Sequence, residues 1–169
     1  MAGQLTQKER MLLQDQLKHE ELCIRKYSGY ANSVRNQDLR RMFNEIAADE
    51  QNHYNTINGF LTRGGGAAGM GAGMGAGGAA GPATRTGSQA PPAAGTAQAG
   101  GAVASANDAE ALEDMLVTEK YISGSYDTAV FESADPQLRG ALQQIQDDEQ
   151  RHGERIFNYM QQQGMYRPQ

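Results

Sequence analysis

Residues 38–57 read DLRRMFNEIAADEQNHYNTI, and residues 137–156 read QLRGALQQIQDDEQRHGERI. Laid over each other without a gap, at an offset of 99, Leu39 meets Leu138, Arg40 meets Arg139 and Ile46 meets Ile145. Asp49-Glu50-Gln51 then meets Asp148-Glu149-Gln150, and His53 and Ile57 meet His152 and Ile156. Each stretch spaces its apolar residues three and four apart, the period of one face of an α-helix, and each interrupts that face with Glu-x-x-His. The same offset carries upstream, where Leu13, Asp15, Leu17, Glu20 and Tyr27 meet Leu112, Asp114, Leu116, Glu119 and Tyr126. The chain therefore contains an internal duplication, established without reference to any other protein.

Each copy reads as a helical hairpin. Thr6-x-x-Glu9 is a capping box that opens a first helix, and the polar break Asn36-Gln37-Asp38 separates it from a second helix that stops at Gly64. Asn107-x-x-Glu110 opens the third helix in a similar way. Asp135-Pro136 starts the fourth, with Asp as the cap and Pro at the first helical position, and Gly164 suits its C-terminal cap. Between the copies, residues 64–106 are almost entirely Gly and Ala with Ser, Thr, Gln, Pro82, Pro91 and Pro92, and Arg85 carries the only charge. Such a stretch buries too little surface to offset its ordering entropy. It is expected to be a disordered linker whose span, for a Gly-rich coil, is roughly 35 Å. Met70 and Met74 fall in its GAGM repeat and read as low complexity rather than as soft metal ligands. The expected organisation is a first hairpin over 1–63, a linker over 64–106 and a second hairpin over 107–169. The two hairpins pack as one antiparallel, all-α, four-helix bundle.

The inward stripes follow from the same spacing. The four helices contribute Leu13, Leu17, Glu20, Ile24, Tyr27, Ala31 and Val34; Leu39, Phe43, Ile46, Glu50, His53, Ile57 and Phe60; Leu112, Leu116, Glu119, Ser123, Tyr126 and Val130; and Leu138, Leu142, Ile145, Glu149, His152, Ile156 and Tyr159. Four Glu and two His thus stand at core positions. At 1.5 Å per residue, Glu20 and Glu50 both lie roughly 20–24 Å from the turn that joins their helices, so the six side chains meet in one layer. Four carboxylates in an apolar core, left without a partner, destabilise a fold by several kcal/mol or hold protons. Two divalent cations would balance their charge, and two neutral imidazoles would complete the shells. Ferritin-like di-iron and di-manganese bundles use this set: one Glu from each of two helices and Glu-x-x-His from each of the other two. The expected ligands are Glu20, Glu50, His53, Glu119, Glu149 and His152. The competing reading is a bundle whose carboxylates pair with Arg or water. Glu and His suit iron and manganese alike, so the expected cofactor is two ions of either metal.

Tyr27 and Tyr126 fall seven residues after Glu20 and Glu119, about 10 Å along the helix, where a hydroxyl reaches a glutamate of another helix or serves as an ordinary core tyrosine. Asp49 and Asp148 precede the Glu-x-x-His motifs and either orient a His on another helix or stand as boundary carboxylates. Glu21 has Lys120 as its mate, which argues against it as a ligand. His19, paired with Thr118, is expected at the surface, and Cys23 is expected to pack in the core. A net charge of −5 gives no basic surface for nucleic acid, no apolar run approaches the ~20 residues that span a bilayer, and the opening MAGQLTQKERMLLQDQ reads as no secretory signal. One cysteine excludes an internal disulfide framework and fits a reducing cytoplasm.

The stretches LTQKERMLLQDQLKHEELCIRKYSGYA at 5–31 and TEKYISGSYDTAVFESADPQLRGALQQIQDDEQRHGERIFNYMQQQGMY at 118–166 resemble the spore coat protein F family of endospore-forming Firmicutes. The resemblance is to clostridial-type members with two ferritin-like halves, and it covers both flanks but not the linker. It implies a ferritin-like fold, synthesis in the mother-cell cytoplasm, a place in the spore coat and other coat proteins as partners. It does not by itself imply an established enzymatic activity. The long irregular connection between helices two and three departs from the ferritin pattern: the hairpins could join either way up or pair between chains, which puts cage assembly in doubt and leaves a homo-oligomer open. Three functions then compete: a coat component in which metal steadies the bundle, a di-metal oxidoreductase consuming peroxide or oxygen, and iron storage. Storage needs a closed shell and a way in, and the sequence shows neither.

Overall fold

The computed structural model describes residues 5–63 and 106–166. The expected linker lies outside the described residues. Among the described residues are four α-helices and no strand: α1 Gln7–Ser33, α2 Gln37–Arg63, α3 Ala106–Glu132 and α4 Pro136–Gln162. Each has 27 residues, about 40 Å of helix, and α3 and α4 repeat the bounds of α1 and α2 at the offset of 99. α1 packs on α2 and α3 on α4, and the hairpins join through α1 against α3 and α2 against α4. Lys8 pairs with Glu132 near one end of the α1–α3 seam and Lys26 with Asp114 nearer the other, so these helices run antiparallel. The architecture is the expected antiparallel four-helix bundle of two hairpins. No helix among the described residues is long and apolar enough to cross a membrane.

Local chemistry sets the helix ends. Thr6 caps α1 through its hydroxyl, which accepts from the Glu9 amide at 3.1 Å, while Glu9 accepts from the Thr6 amide at 2.8 Å. The Asn36 side chain accepts from the amides of Asp38 and Leu39, so Gln37 and Asp38 belong to α2 and only residues 34–36 form the break. Asp135 caps α4 by accepting from Gln137 and Leu138, with Pro136 at the first helical position. Gly164 ends that helix at φ +69°, a conformation a Cβ disfavours, and this lets the Met165 amide reach back to the Met160 carbonyl at 2.9 Å. The third start differs from expectation: α3 begins at Ala106, one residue inside the segment assigned to the linker, so Asn107 lies within the helix rather than capping it.

The buried set is broader than one stripe per helix. Most of the expected core is buried, but Leu17, Ile24, Phe60, Ser123 and Tyr159 are only partly so. Gln16, Cys23, Ala111, Met115, Ile122, Ala129 and Met160 are buried beside the stripe. Each helix touches two neighbours, so its buried arc is wider than a seam with one partner needs.

Two buried carboxylates that the stripes do not predict tie the hairpins together. Glu9 is 3% exposed, and its Oε1 accepts from the amide of Ala134 at 2.8 Å, in the turn of the opposite hairpin. Its mate Asp108 is 1% exposed and accepts from the amide of Arg35, the mate of Ala134, at 3.3 Å. Each turn is thus stitched by a carboxylate from the other copy. Arg40 clamps its own turn through the carbonyls of Ala31 and Val34, and Arg139 through that of Ser133. Replacing Glu9 with Ala removes the charged acceptor of the Thr6 and Ala134 amides, one on each hairpin, a cost of about 1–3 kcal/mol. Denaturant unfolding of Glu9→Ala beside the exposed-site control Glu21→Ala checks this: Glu9→Ala loses stability in that range and the control stays within about 0.5 kcal/mol.

Candidate metal centre

The bundle interior brings together Glu20 from α1, Glu50 and His53 from α2, Glu119 from α3, and Glu149 and His152 from α4, all buried. Two overlapping groups form. Glu20, Glu50, His53 and Glu149 offer one atom each within 4.8 Å of one another, and so do Glu50, Glu119, Glu149 and His152. Glu50 and Glu149 belong to both groups. The arrangement is two four-residue pockets side by side, sharing two carboxylates, each completed by one further Glu and one His.

Distances follow the pseudo-twofold of the duplication. His53 Nδ1 lies 3.0 Å from Glu149 Oε1, 3.3 Å from Glu50 Oε2 and 3.6 Å from Glu20 Oε2. His152 Nδ1 lies 3.2 Å from Glu50 Oε1 and 4.0 Å from Glu119 Oε2. The imidazoles stack with centroids 5.8 Å apart. Their outer nitrogens face the other hairpin: His53 Nε2 is 3.5 Å from Asp148 Oδ2, and His152 Nε2 is 3.5 Å from Asp49 Oδ2. Asp49 and Asp148 therefore stand where a carboxylate orients an imidazole so that the opposite nitrogen faces inward. The tyrosines cross in the same way, Tyr27 donating to Glu119 Oε1 and Tyr126 to Glu20 Oε1. Every expected ligand and each of the four supporting residues lies in this one cluster.

Several inward atoms have no hydrogen-bond partner: Glu20 Oε2, Glu50 Oε1, Glu119 Oε2, both oxygens of Glu149 and Nδ1 of His152. Buried polar atoms left this way cost free energy, and a native core rarely keeps one, let alone six around one point. The donor set of hard carboxylate oxygens and imidazole nitrogens fits divalent iron or manganese.

The electrostatics agree with a crowd of charges held out of water. Burial pushes Glu119 up to about 10, with the charge of Glu149 adding to it. Burial also pushes Glu20 up to about 8 and Glu149 up to about 7, against the nearby His53 imidazole, which pulls both down. For Glu50 burial is outweighed by the imidazoles of His152 and His53 beside it, and the group is held down to about 2. For His53 burial is outweighed by Glu149, Glu20 and Glu50, which raise it to about 12. Tyr27 and Tyr126 are pushed well above the ordinary phenol range, by burial first and then by the glutamate each meets. Cys23 is buried, and its thiol is raised by burial and then by the surrounding carboxylates, which suits packing.

The sequence misplaced one residue near this layer. His19 is half-buried: its Nδ1 lies 3.2 Å from Gln16 Oε1 and its ring meets Tyr121 edge-on at 5.6 Å. Its mate Thr118 gave no sign of a ring partner, because Tyr121 itself has Leu22 as its mate.

Residues 107–169 match the Coat F domain. The match covers the second hairpin; the first is tied to it by the duplication. The chain is also similar to a crystal structure from Anabaena variabilis, a two-domain protein containing DJ-1/ThiJ/PfpI-like and ferritin-like domains. That similarity has a TM-score of 0.67 at 14% identity and covers 99% of this chain, which spans 40% of that protein. At this identity the likeness shows the fold, which is ferritin-like. No curated protein sequence matches the chain significantly.

In metal-free protein the raised groups set the pH dependence. Glu149, Glu20 and Glu119 keep protons in the fold where the unfolded chain has released them, so their penalty is absent below the ordinary carboxylate range and grows up to about 7, 8 and 10. The stabilising charge of His53 is present below its ordinary value and is lost as pH rises toward about 12. Glu50 acts the other way only below the ordinary carboxylate range, down to about 2. Thermal unfolding in chelator, followed by circular dichroism, is therefore expected to give a higher Tm near about pH 5.5 than near about pH 8.5.

Proposed function

We propose that this chain is a ferritin-like spore coat protein whose bundle core holds a di-iron or di-manganese centre. The observation that carries the metal reading is the pair of overlapping ligand groups sharing Glu50 and Glu149, with unpartnered carboxylate and imidazole atoms aimed at one interior point. The Coat F domain match over residues 107–169 supports the coat assignment, and with it synthesis in the mother cell and other coat proteins as partners. The resemblance of the first hairpin to clostridial-type members extends that reading over both halves.

Each residue has a definite part. Glu50 and Glu149 belong to both ligand groups; His53 and Glu20 would complete one, and His152 and Glu119 the other. Tyr27 and Tyr126 steady the outer oxygens of Glu119 and Glu20, and Asp148 and Asp49 hold the imidazoles by their far nitrogens. Bound here, divalent ions supply positive charge that neutralises the buried carboxylates, and with iron or manganese they also supply one-electron redox capacity. Folding and binding are then linked: metal that binds only the folded bundle stabilises it by about 2.7 kcal/mol at a hundred times its Kd. This role needs neither turnover nor a closed shell, so structural metal in a coat component is the reading favoured over storage.

Elemental analysis after expression with both metals supplied tests the centre. Wild type is expected to carry about two iron or manganese ions per chain, and a Glu50→Ala, Glu149→Ala double variant about none. Metal-free wild type would sink the centre and leave a ferritin-like scaffold.

A further inference from the structure

The duplication makes each half a control for the other, and the halves differ in the wall over the cluster of glutamates. Between α3 and α4 runs a groove of 570 Å³ lined among others by Glu119, Ser123, Glu149, Gly153, Phe157 and Tyr166. Two glutamates of the cluster form its floor. The related groove between α1 and α2 has 270 Å³, is lined by Glu21, Ile24, Arg25, Gln51 and Tyr54, and meets neither Glu20 nor Glu50. The linings correspond at the offset of 99, with Ser123 where the first half has Ile24 and Gly153 where it has Tyr54. Two smaller side chains thus thin the wall on one side only.

Packing does not require that glycine. A Cβ on Gly153 would meet Glu119 Cβ at 3.7 Å and Leu116 Cδ1 at 3.9 Å, ordinary contacts. A glycine inside a helix costs about 1 kcal/mol relative to alanine. What the missing side chain does provide is access: the stem of Glu119 lies directly beneath Gly153, and Glu119 and Glu149, both members of the cluster, line the groove. Lys120, Gln150 and Glu154 also line the groove, but its exposed surface is mainly apolar, with Leu116, Phe157 and Tyr166, the last two rings meeting edge-on at 5.1 Å. Such walls disfavour a hydrated ion and suit a small uncharged molecule.

We propose that the α3–α4 groove is a one-sided access route by which a small uncharged molecule reaches the centre, with Gly153 and Ser123 setting its width. The route rests on the proposed metal centre. Its test uses nitric oxide as the probe, mixed anaerobically with ferrous-loaded protein and followed by visible absorption, at matched iron content. Gly153→Tyr installs the residue of the first half and is expected to slow nitric oxide binding roughly tenfold. Ser123→Ile closes the groove from the opposite wall and is expected to act in the same direction, so the test does not hang on one variant. Adding Tyr54→Gly to Gly153→Tyr opens the first half and restores part of the rate. Unchanged rates in both single variants at wild-type iron content would overturn the route and leave the centre standing. Wild type without iron would overturn the centre and the route together.

Discussion

Glu20, Glu50, Glu119 and Glu149 bring four carboxylates into a core from which water is excluded, with His53 and His152 among them. Each charge gives up hydration there, and like charges at these separations repel in a medium far less polar than water. The rest of the bundle serves this layer. Helices of 27 residues provide apolar layers on both sides of it, including Leu13, Phe43, Ile46, Met115, Ile122 and Ile156, all at most 1% exposed. Tyr27 and Tyr126 place hydroxyls against the outer carboxylates, and Asp49 and Asp148 close the outer side of the imidazoles. A bundle stable enough to keep such a layer needs its apolar contribution concentrated above and below, because the layer itself contributes none without a counter-charge.

The pseudo-twofold of the duplication distributes these contacts between the copies. Almost every supporting contact crosses from one hairpin to the other: tyrosine to glutamate, imidazole to aspartate, Glu9 and Asp108 to the opposite turns. A single hairpin therefore lacks the partners of its core tyrosine, its outer imidazole nitrogen and a turn amide. The symmetry is broken where chemistry is least constrained, at the wall of the bundle. Tyr54 and Ile24 fill one groove while Gly153 and Ser123 leave its counterpart open. Divergence there changes the wall and leaves the six clustered Glu and His residues alike in both copies.

A large part of this was legible in the chain itself. Glu50-x-x-His53 and Glu149-x-x-His152 lie on helical core stripes at identical offsets from Glu20 and Glu119, and a helix turns that spacing into a shared face whatever it packs against. The copies also explain why α3 and α4 repeat the lengths of α1 and α2, and why the second hairpin sets its Glu and Glu-x-x-His at the same distances from its turn as the first. Less legible were Glu9 and Asp108. Glu9 reads as the end of a capping box, and nothing local shows that its second oxygen serves the opposite turn. His19 was misplaced for the same reason, since its partner Tyr121 belongs to another helix.

The sequence by itself determined the helices, their inward faces, the duplication and the six residues gathered in the core, because backbone hydrogen bonding makes residues three and four apart neighbours without any help from the rest of the chain. Only the tertiary structure decided which helix lies against which. That choice pairs Tyr27 with Glu119 rather than Glu50, His53 with Asp148 rather than Asp49, and Gly153 with the stem of Glu119. These contacts depend on the register of helices far apart in the chain, and register is settled by how whole side-chain surfaces interlock, not by any spacing along one strand of sequence.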